Sequence, residues 1–259
     1  MTSPRPIASR DNPLLQRVRK LTRTPGAYRK LEAVWLEGEH LCSALLARGI
    51  QPPQSIASES AWAQPRLQTL ARAAREVVLV PDALFAGLSG LDHPAGAGIG
   101  YVLDAPVGLA MQPGLPSVVL DRVQDAGNVG SILRSASALG FVQVLALEGS
   151  AALWSPKVLR AGMGAHFGLR LIEGLAAGDL EWLAVPLLAA SSHAADIVGA
   201  APLAWPCAWV FGHEGQGIAP ALMARCTHML RIPQPGGEES LNVAAAAAIC
   251  LYESSKGRQ

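Results

Sequence analysis

Three polar turns, each following an apolar run, hold the residues whose types and spacing suit chemistry. Gln124-Asp125-Ala126-Gly127-Asn128-Val129-Gly130 follows the run Ser117–Val123, with Arg134 six residues beyond Asn128. Gly212-His213-Glu214-Gly215-Gln216-Gly217 follows Val210-Phe211, and three glycines in six residues mark tight turns and close backbone approach. Pro235-Gly236-Gly237-Glu238-Glu239-Ser240 follows the short strand Met229-Leu230-Arg231-Ile232, which Pro233 stops. Glycine turns after adjacent strands present free N–H groups to one ligand at the carboxyl ends of a sheet.

The elements that must position these turns read as alternating strands and helices. In the second half, Ser117–Val123 and Phe141–Leu147 are buried-strand patterns, and Ser131–Leu139 is a helix closed by Gly140 at its C′ position. On that reading Asn128 lies in the turn and Arg134 in the helix. Ser155–Ala165 reads as a helix followed by a small-residue turn. Ser240 is the expected N-cap of the last helix, where Ala244–Ala248 leave a nearly side-chain-free surface for close packing. A strand, glycine turn and helix also suit a dinucleotide fold. Gly127 and Gly130 do not make G-x-G-x-x-G, however, so a nicotinamide enzyme ranks low.

The first half reads as a separate α/β unit. Asn12 caps and Pro13 opens a helix running to Lys20, with Leu14, Leu15 and Val18 on one face and Arg17, Arg19 and Lys20 on the other. Val34–Leu36, Ile56–Ser58, Val77–Val80 and Ile99–Leu103 are strands; Glu39–Arg48, Gln64–Ala74 and Pro81–Leu88 are helices. The expected organisation is a domain over 1–105, a Pro/Gly-rich linker over 106–116 and a second domain over 117–259. At 259 residues, half hydrophobic and 16% charged, the chain has material for substantial cores.

A net charge of +1 conceals an uneven distribution: residues 1–30 hold eight Arg or Lys against Asp11 alone. A basic end on a neutral chain suits a polyanion partner, and a solvated helix face with a basic tail is the other reading. Cys42, Cys207, Cys226 and Cys250 are scattered without metal-ligand spacing, so no metal is expected and reduced thiols in a cytoplasm are. No signal peptide or membrane span is read, since the longest apolar runs fall short of roughly 20 residues.

In family order, the three turns resemble the motifs of the SpoU (TrmH) RNA ribose 2′-O-methyltransferases, of the SPOUT class. The first resemblance rests on Asn128, Gly130, Ile132, Arg134, Ala136 and Gly140. The second rests on Gly212, Glu214, Gly215 and Gly217, and the third on Ile232, Pro233, Glu239, Ser240, Leu241 and Asn242. His213 stands where a small residue, often Ser, is usual, and Gln234-Pro235 replaces a commoner methionine-containing sequence. More loosely, Asn12-Pro13-Leu14, the basic stretch with Arg17, Arg19, Lys20 and Arg23, and Trp35-Leu36-Glu37-Gly38 resemble the L30e/L7Ae-like RNA-binding domain that precedes some SpoU domains. Gly96-Ala97-Gly98 lies where the family leads out of that domain.

The resemblance implies a C-terminal trefoil-knotted domain with a parallel sheet, a smaller N-terminal α/β domain, and a homodimer. It implies S-adenosyl-L-methionine as cofactor, held by backbone around Gly212, Ile232 and Leu241. Ribose 2′-O-methylation of structured RNA follows, with 23S-type ribosomal RNA ahead of tRNA. By resemblance Asn128 and Arg134 lie near the ribose, Arg134 being described as activating the hydroxyl. A guanidinium with a pKa above about 12 is poorly suited to remove a proton. Orienting the hydroxyl, or a phosphate that relays its proton, is the easier role. Glu214 and Asn242 are expected to tie the turns together, with Ser240 and Asn242 bonding substrate or loop backbone and Glu239 serving as base or brace. His166 and His193 lie outside the motifs and read as satisfied or solvated. The rivals are a noncatalytic RNA-binding relative in ribosome assembly and a small-molecule α/β enzyme.

Overall fold

The computed structural model describes residues 3–90, 98–238 and 240–256. The chain divides into two compact units: Met1–Val107 with Trp154–Phe167, and Gly108–Leu153 with Gly168–Gln259.

The first unit is built on a mixed sheet. Its described strands are β1 (Arg5–Pro6), β2 (Ala33–Glu37), β3 (Gln54–Ser58), β4 (Glu76–Val80) and β5 (Ile99–Asp104), in the order β1-β4-β3-β5-β2. β5 runs antiparallel to both neighbours. Helix α1 (Pro13–Arg23) begins as its sequence dictates: Asn12 Oδ1 accepts from the Leu14 N–H at 3.0 Å, and Pro13 occupies the first turn. Leu15, Val18 and Leu21 form its buried stripe. A short helix, α2 (Ala27–Leu31), follows where no element was expected. The unit continues with α3 (Glu39–Ala47), α4 (Glu59–Trp62), α5 (Pro65–Arg72) and α6 (Asp82–Ala86). Residues 154–167 group here because α8 (Pro156–Gly162) packs on β2 and Arg160 donates to the Gly90 carbonyl at 3.3 Å.

The second unit is a parallel sheet of seven strands among the described residues. They are β6 (Ser117–Asp121), β7 (Gln143–Leu147), β8 (Arg170–Leu175), β9 (Leu187–Ala190), β10 (Asp196–Ile197), β11 (Ala208–Gly212) and β12 (His228–Arg231), ordered β10-β12-β9-β11-β6-β7-β8. Central strands of a parallel sheet are covered on both faces and so are nearly continuously apolar. Val119, Leu145, Ala189 and Val210 bury on one face with Ile218 and Leu222 of the chain around α9 (Pro220–Met223). Trp209 is fully buried on the other, where its Nε1–H donates to Ser254 Oγ at 2.8 Å in α10 (Val243–Ser255). α10 packs on α7 (Ala126–Ala138) and β11 through Ala247, Cys250 and Leu251. Its alanines allow the close approach that the sequence suggested.

Three expectations are corrected. β9 lies between β11 and β12, so the strands that feed the second and third turns are not adjacent. α7 begins at Ala126, five residues before Ser131, because Asp125 Oδ1 accepts from the Asn128 N–H at 2.8 Å and caps it. Asn128 is therefore in the first helical turn. α10 begins at Val243, capped by Asn242 rather than Ser240.

Candidate functional site

The three turns lie at the carboxyl ends of β6, β11 and β12, and the first two are locked by a pair the sequence reading passed over. Asp121, buried at the end of β6, accepts from Arg122 Nε at 2.9 Å, Arg122 Nη2 at 3.1 Å and the Ala219 N–H at 2.7 Å. Arg122 adopts a left-handed backbone, φ 59°, and reaches onward to Gln216 Oε1 at 2.9 Å and the Gly217 carbonyl at 3.3 Å. The hydrogen bonds that Arg122 donates to Asp121, and the charge of that carboxylate, hold the guanidinium above its ordinary value. An Asp-Arg pair closing a strand ahead of a polar turn was the available signal.

Within the second turn the chain folds back on itself. His213 and Gly217 exchange backbone bonds of 3.1 and 2.8 Å. A Cβ on Gly212 would stand 2.3 Å from the Gly217 carbonyl carbon and the Ile218 nitrogen, so glycine is required here by the loop's own crossing. His213 Nδ1 accepts from the Gly215 N–H at 3.0 Å and the Gln216 N–H at 3.2 Å. A ring nitrogen with two donors aimed at it carries no proton, so the imidazole proton sits on Nε2. The imidazole thus caps the turn from within, as a hydroxyl oxygen would.

The turns are joined side chain to side chain. Asn242 Nδ2 donates to Asn128 Oδ1 at 2.9 Å, and Asn128 Nδ2 donates to Glu214 Oε1 at 3.1 Å. The direction of this chain is forced. An ionised Glu214 only accepts, so Asn128 must present its amino group there and its carbonyl to Asn242. Asn242 Oδ1 is then left for the Ala244 and Ala245 N–H groups at 2.9 and 3.2 Å, where it caps α10. Glu214 also accepts from the Asp125 and Gln124 N–H groups at 3.3 and 3.5 Å. Desolvation pushes the Glu214 carboxyl up, but the Asn128 and backbone hydrogen bonds outweigh it and hold the group below its ordinary value. Glu214 and Asn242 do tie the turns together, with Asn128 as the bridge.

Arg134 is exposed on α7 and makes no hydrogen bond or ion pair among the described residues. Six residues on from Asn128, it sits about 9 Å further along the helix axis and about a third of a turn round. Ser240 is exposed, Leu241 is 39% exposed and Ile232 is half-buried. Gln234, in the same turn, has its Oε1 buried without a hydrogen-bond partner among the described residues. Such a group costs ~1–3 kcal/mol. Glu239, Gly96 and Ala97 lie outside the described residues.

Elsewhere, His166 is buried against Trp154 and His193 is exposed in a loop; neither joins the network above. Among the described residues no group of His, Cys, Asp or Glu is placed to hold a metal ion. Burial pushes the Cys226 and Cys250 thiols up to about 11 and about 12, which suits neutral packing groups. On α1, Arg17 donates to the Leu31 carbonyl at 2.7 Å and Arg19 to the Arg10 carbonyl at 2.7 Å. Lys20 and Arg23 are the exposed cations of that helix. No described helix is long and apolar enough to cross a membrane.

Residues 116–252 match the model of the SpoU rRNA Methylase family. The chain belongs to this family. Among its SpoU relatives is the 23S rRNA (guanosine-2′-O-)-methyltransferase RlmB of Bordetella pertussis, 31% identical over 243 residues that cover 86% of this chain and 97% of the relative. A solved RNA 2′-O ribose methyltransferase aligns with a TM-score of 0.78 and 30% identity over 98% of this chain and 99% of its own. The SpoU methyltransferase AviRb from Streptomyces viridochromogenes, solved with AdoMet, shares the fold at a TM-score of 0.86 and 23% identity, over 95% of this chain and 98% of its own. The SpoU match spans all three turns, from β6 into α10.

Proposed function

We propose that this SpoU protein transfers a methyl group from S-adenosyl-L-methionine to the 2′-hydroxyl of one ribose in ribosomal RNA of the 23S type. The observation that carries this reading is the hydrogen-bonded chain Asn242–Asn128–Glu214, which joins three motif turns at the carboxyl end of one parallel sheet.

The residues present fit the cofactor. The second and third turns carry Gly212, half-buried Ile232, partly exposed Leu241 and the unpartnered Gln234 carboxamide, a surface for a flat, polar-edged nucleoside. When bound, the cofactor supplies a sulfonium-borne methyl group for in-line transfer. Glu214 braces the second turn and stays ionised, which suits it poorly as a base near neutral pH. Arg134, cationic and without a partner among the described residues, orients the ribose hydroxyl or an adjacent phosphate, and that phosphate relays the proton. Ser240, exposed in the third turn, bonds substrate or loop backbone.

RNA is held by the N-terminal unit, which we read as an L30e/L7Ae-like domain over 1–105, joined through 106–116 to a knotted methyltransferase domain over 117–259. Exposed Lys20 and Arg23 support that role, with Arg17 and Arg19 shaping the helix that presents them. We read the working form as a cytoplasmic homodimer, supported by Ile249 and Tyr252, 38% and 55% exposed on α10. Light scattering of the purified protein tests the dimer.

The deciding experiment incubates the protein with total cellular RNA and labelled S-adenosylmethionine and maps 2′-O-methyl positions. One labelled ribose in 23S-type rRNA is the expected result. Label in tRNA alone moves the substrate, and absence of both label and cofactor binding leaves a noncatalytic RNA binder. Charge reversal at Lys20 and Arg23 should weaken RNA binding in a salt-dependent way.

A further inference from the structure

The Gln234 carboxamide is unlike the other polar groups of the site. Asn128, Asn242, Glu214 and His213 all spend their acceptors on partners within the chain. Gln234 Oε1 is buried and accepts from none of the described residues, although Gln234 as a whole is only half-buried. Its backbone is already committed, because its carbonyl accepts from the Gly237 N–H at 3.2 Å and so fixes the start of the third turn. With no donor among the described residues, this acceptor gains a partner when the half-buried side chain turns towards a donor from outside.

The apolar residues of the same turn narrow that donor. Ile232 lies two residues before Gln234, and Leu241 stands 39% exposed at the far end of the same turn. Apolar side chains favour a flat, weakly hydrated ring. A carboxamide offers one acceptor and one donor side by side, the pattern that complements an exocyclic amine next to a ring nitrogen, as glutamine does on adenine. We infer that Gln234 is a specificity residue for the methyl donor: its Oε1 accepts from the adenine amino group and its Nε2–H is offered to the neighbouring ring nitrogen. This rests on the cofactor reading above.

The test measures binding rather than turnover. Calorimetric affinities are compared for S-adenosyl-L-homocysteine and for its analogue with hydrogen in place of the adenine amino group. Both are measured on the wild-type protein, on Gln234→Met, which keeps the length without the amide, and on Gln234→Leu as a second shape. Ligand-free thermal unfolding is recorded for all three. The wild type should prefer the adenine ligand by about tenfold, a preference the variants lose to within about twofold. Their ligand-free Tm should equal or exceed that of the wild type, since no internal hydrogen bond is removed. A preference retained by the variants overturns the inference, as does a large fall in ligand-free Tm, which would show Oε1 satisfied within the protein. A wild type that binds neither ligand removes the cofactor reading and this inference with it. A wild type that binds both equally removes the inference alone.

Discussion

The second and third turns end parallel strands in the same sheet, yet they are built oppositely. The turn after β11 is closed by a His213–Gly217 bridge and a ring nitrogen capping two N–H groups, and Arg122 and Asn128 bond to its Gln216 and Glu214. The turn after β12 has one internal backbone bond among its described residues, Gly237 to Gln234, and leaves Ser240 and Leu241 exposed. One side of the site is organised by the chain's own contacts, and the other keeps exposed groups. The first arrangement fixes reacting geometry in advance. Under the proposed function, the second leaves room for ligand and RNA.

The contrast can be broken at several points. Asp121→Ala should do most damage, because it removes the acceptor that Arg122 and the Ala219 N–H share; ~1–3 kcal/mol of stability is expected to go in denaturant unfolding, with cofactor affinity falling too. Arg134→Ala should reduce methylation by about 10²-fold or more while leaving unfolding and cofactor binding nearly unchanged. Normal turnover in that variant would remove Arg134 from the mechanism. His213→Ala should lower the midpoint by ~1 kcal/mol through the lost cap, and His213→Ser should recover much of it. Leu241→Ala, on the open turn, should leave stability within about 0.5 kcal/mol and weaken cofactor binding in calorimetry. An equal stability loss at Leu241 and His213 would erase the distinction.

The smallest effect is on pH. The folded Glu214 carboxyl lies below its ordinary value of 4.5, so its contribution is complete above that range and is lost as pH falls through the lowered folded value. Glu214→Gln should flatten that acid-side dependence in thermal unfolding, with no change near neutral pH from the titration itself.

Much of this was legible in the residues. Asn12-Pro13 announced α1 through its capping chemistry, and continuous apolar runs marked β6, β7 and β11. The turns stood out because glycine and proline stop strands. The helix start at Ala126 was hidden because Gly127 and Gly130 argue locally for a turn, at ~1 kcal/mol each in a helix; the Asp125 cap and burial of α7 override them. The place of β9 was hidden because chain order does not give spatial order in a sheet with crossovers. Charge alone marked Arg17 and Arg19 for RNA, whereas their guanidinium groups bond backbone carbonyls in a fold not yet known. Asp121 and Arg122 looked like an ordinary strand end. Their partners, Gln216 and Ala219, are 94 and 98 residues away in sequence.

The bridge from Asn128 to Asn242 spans 114 residues and closes at the last helix. During synthesis the earlier turns therefore emerge long before their final partner. A chain interrupted between β12 and Asn242 has all seven described strands of the sheet but lacks this bridge. Loss of everything from that point on removes the tie between the first and third turns, so this part of the molecule is finished only when the last described helix has been made.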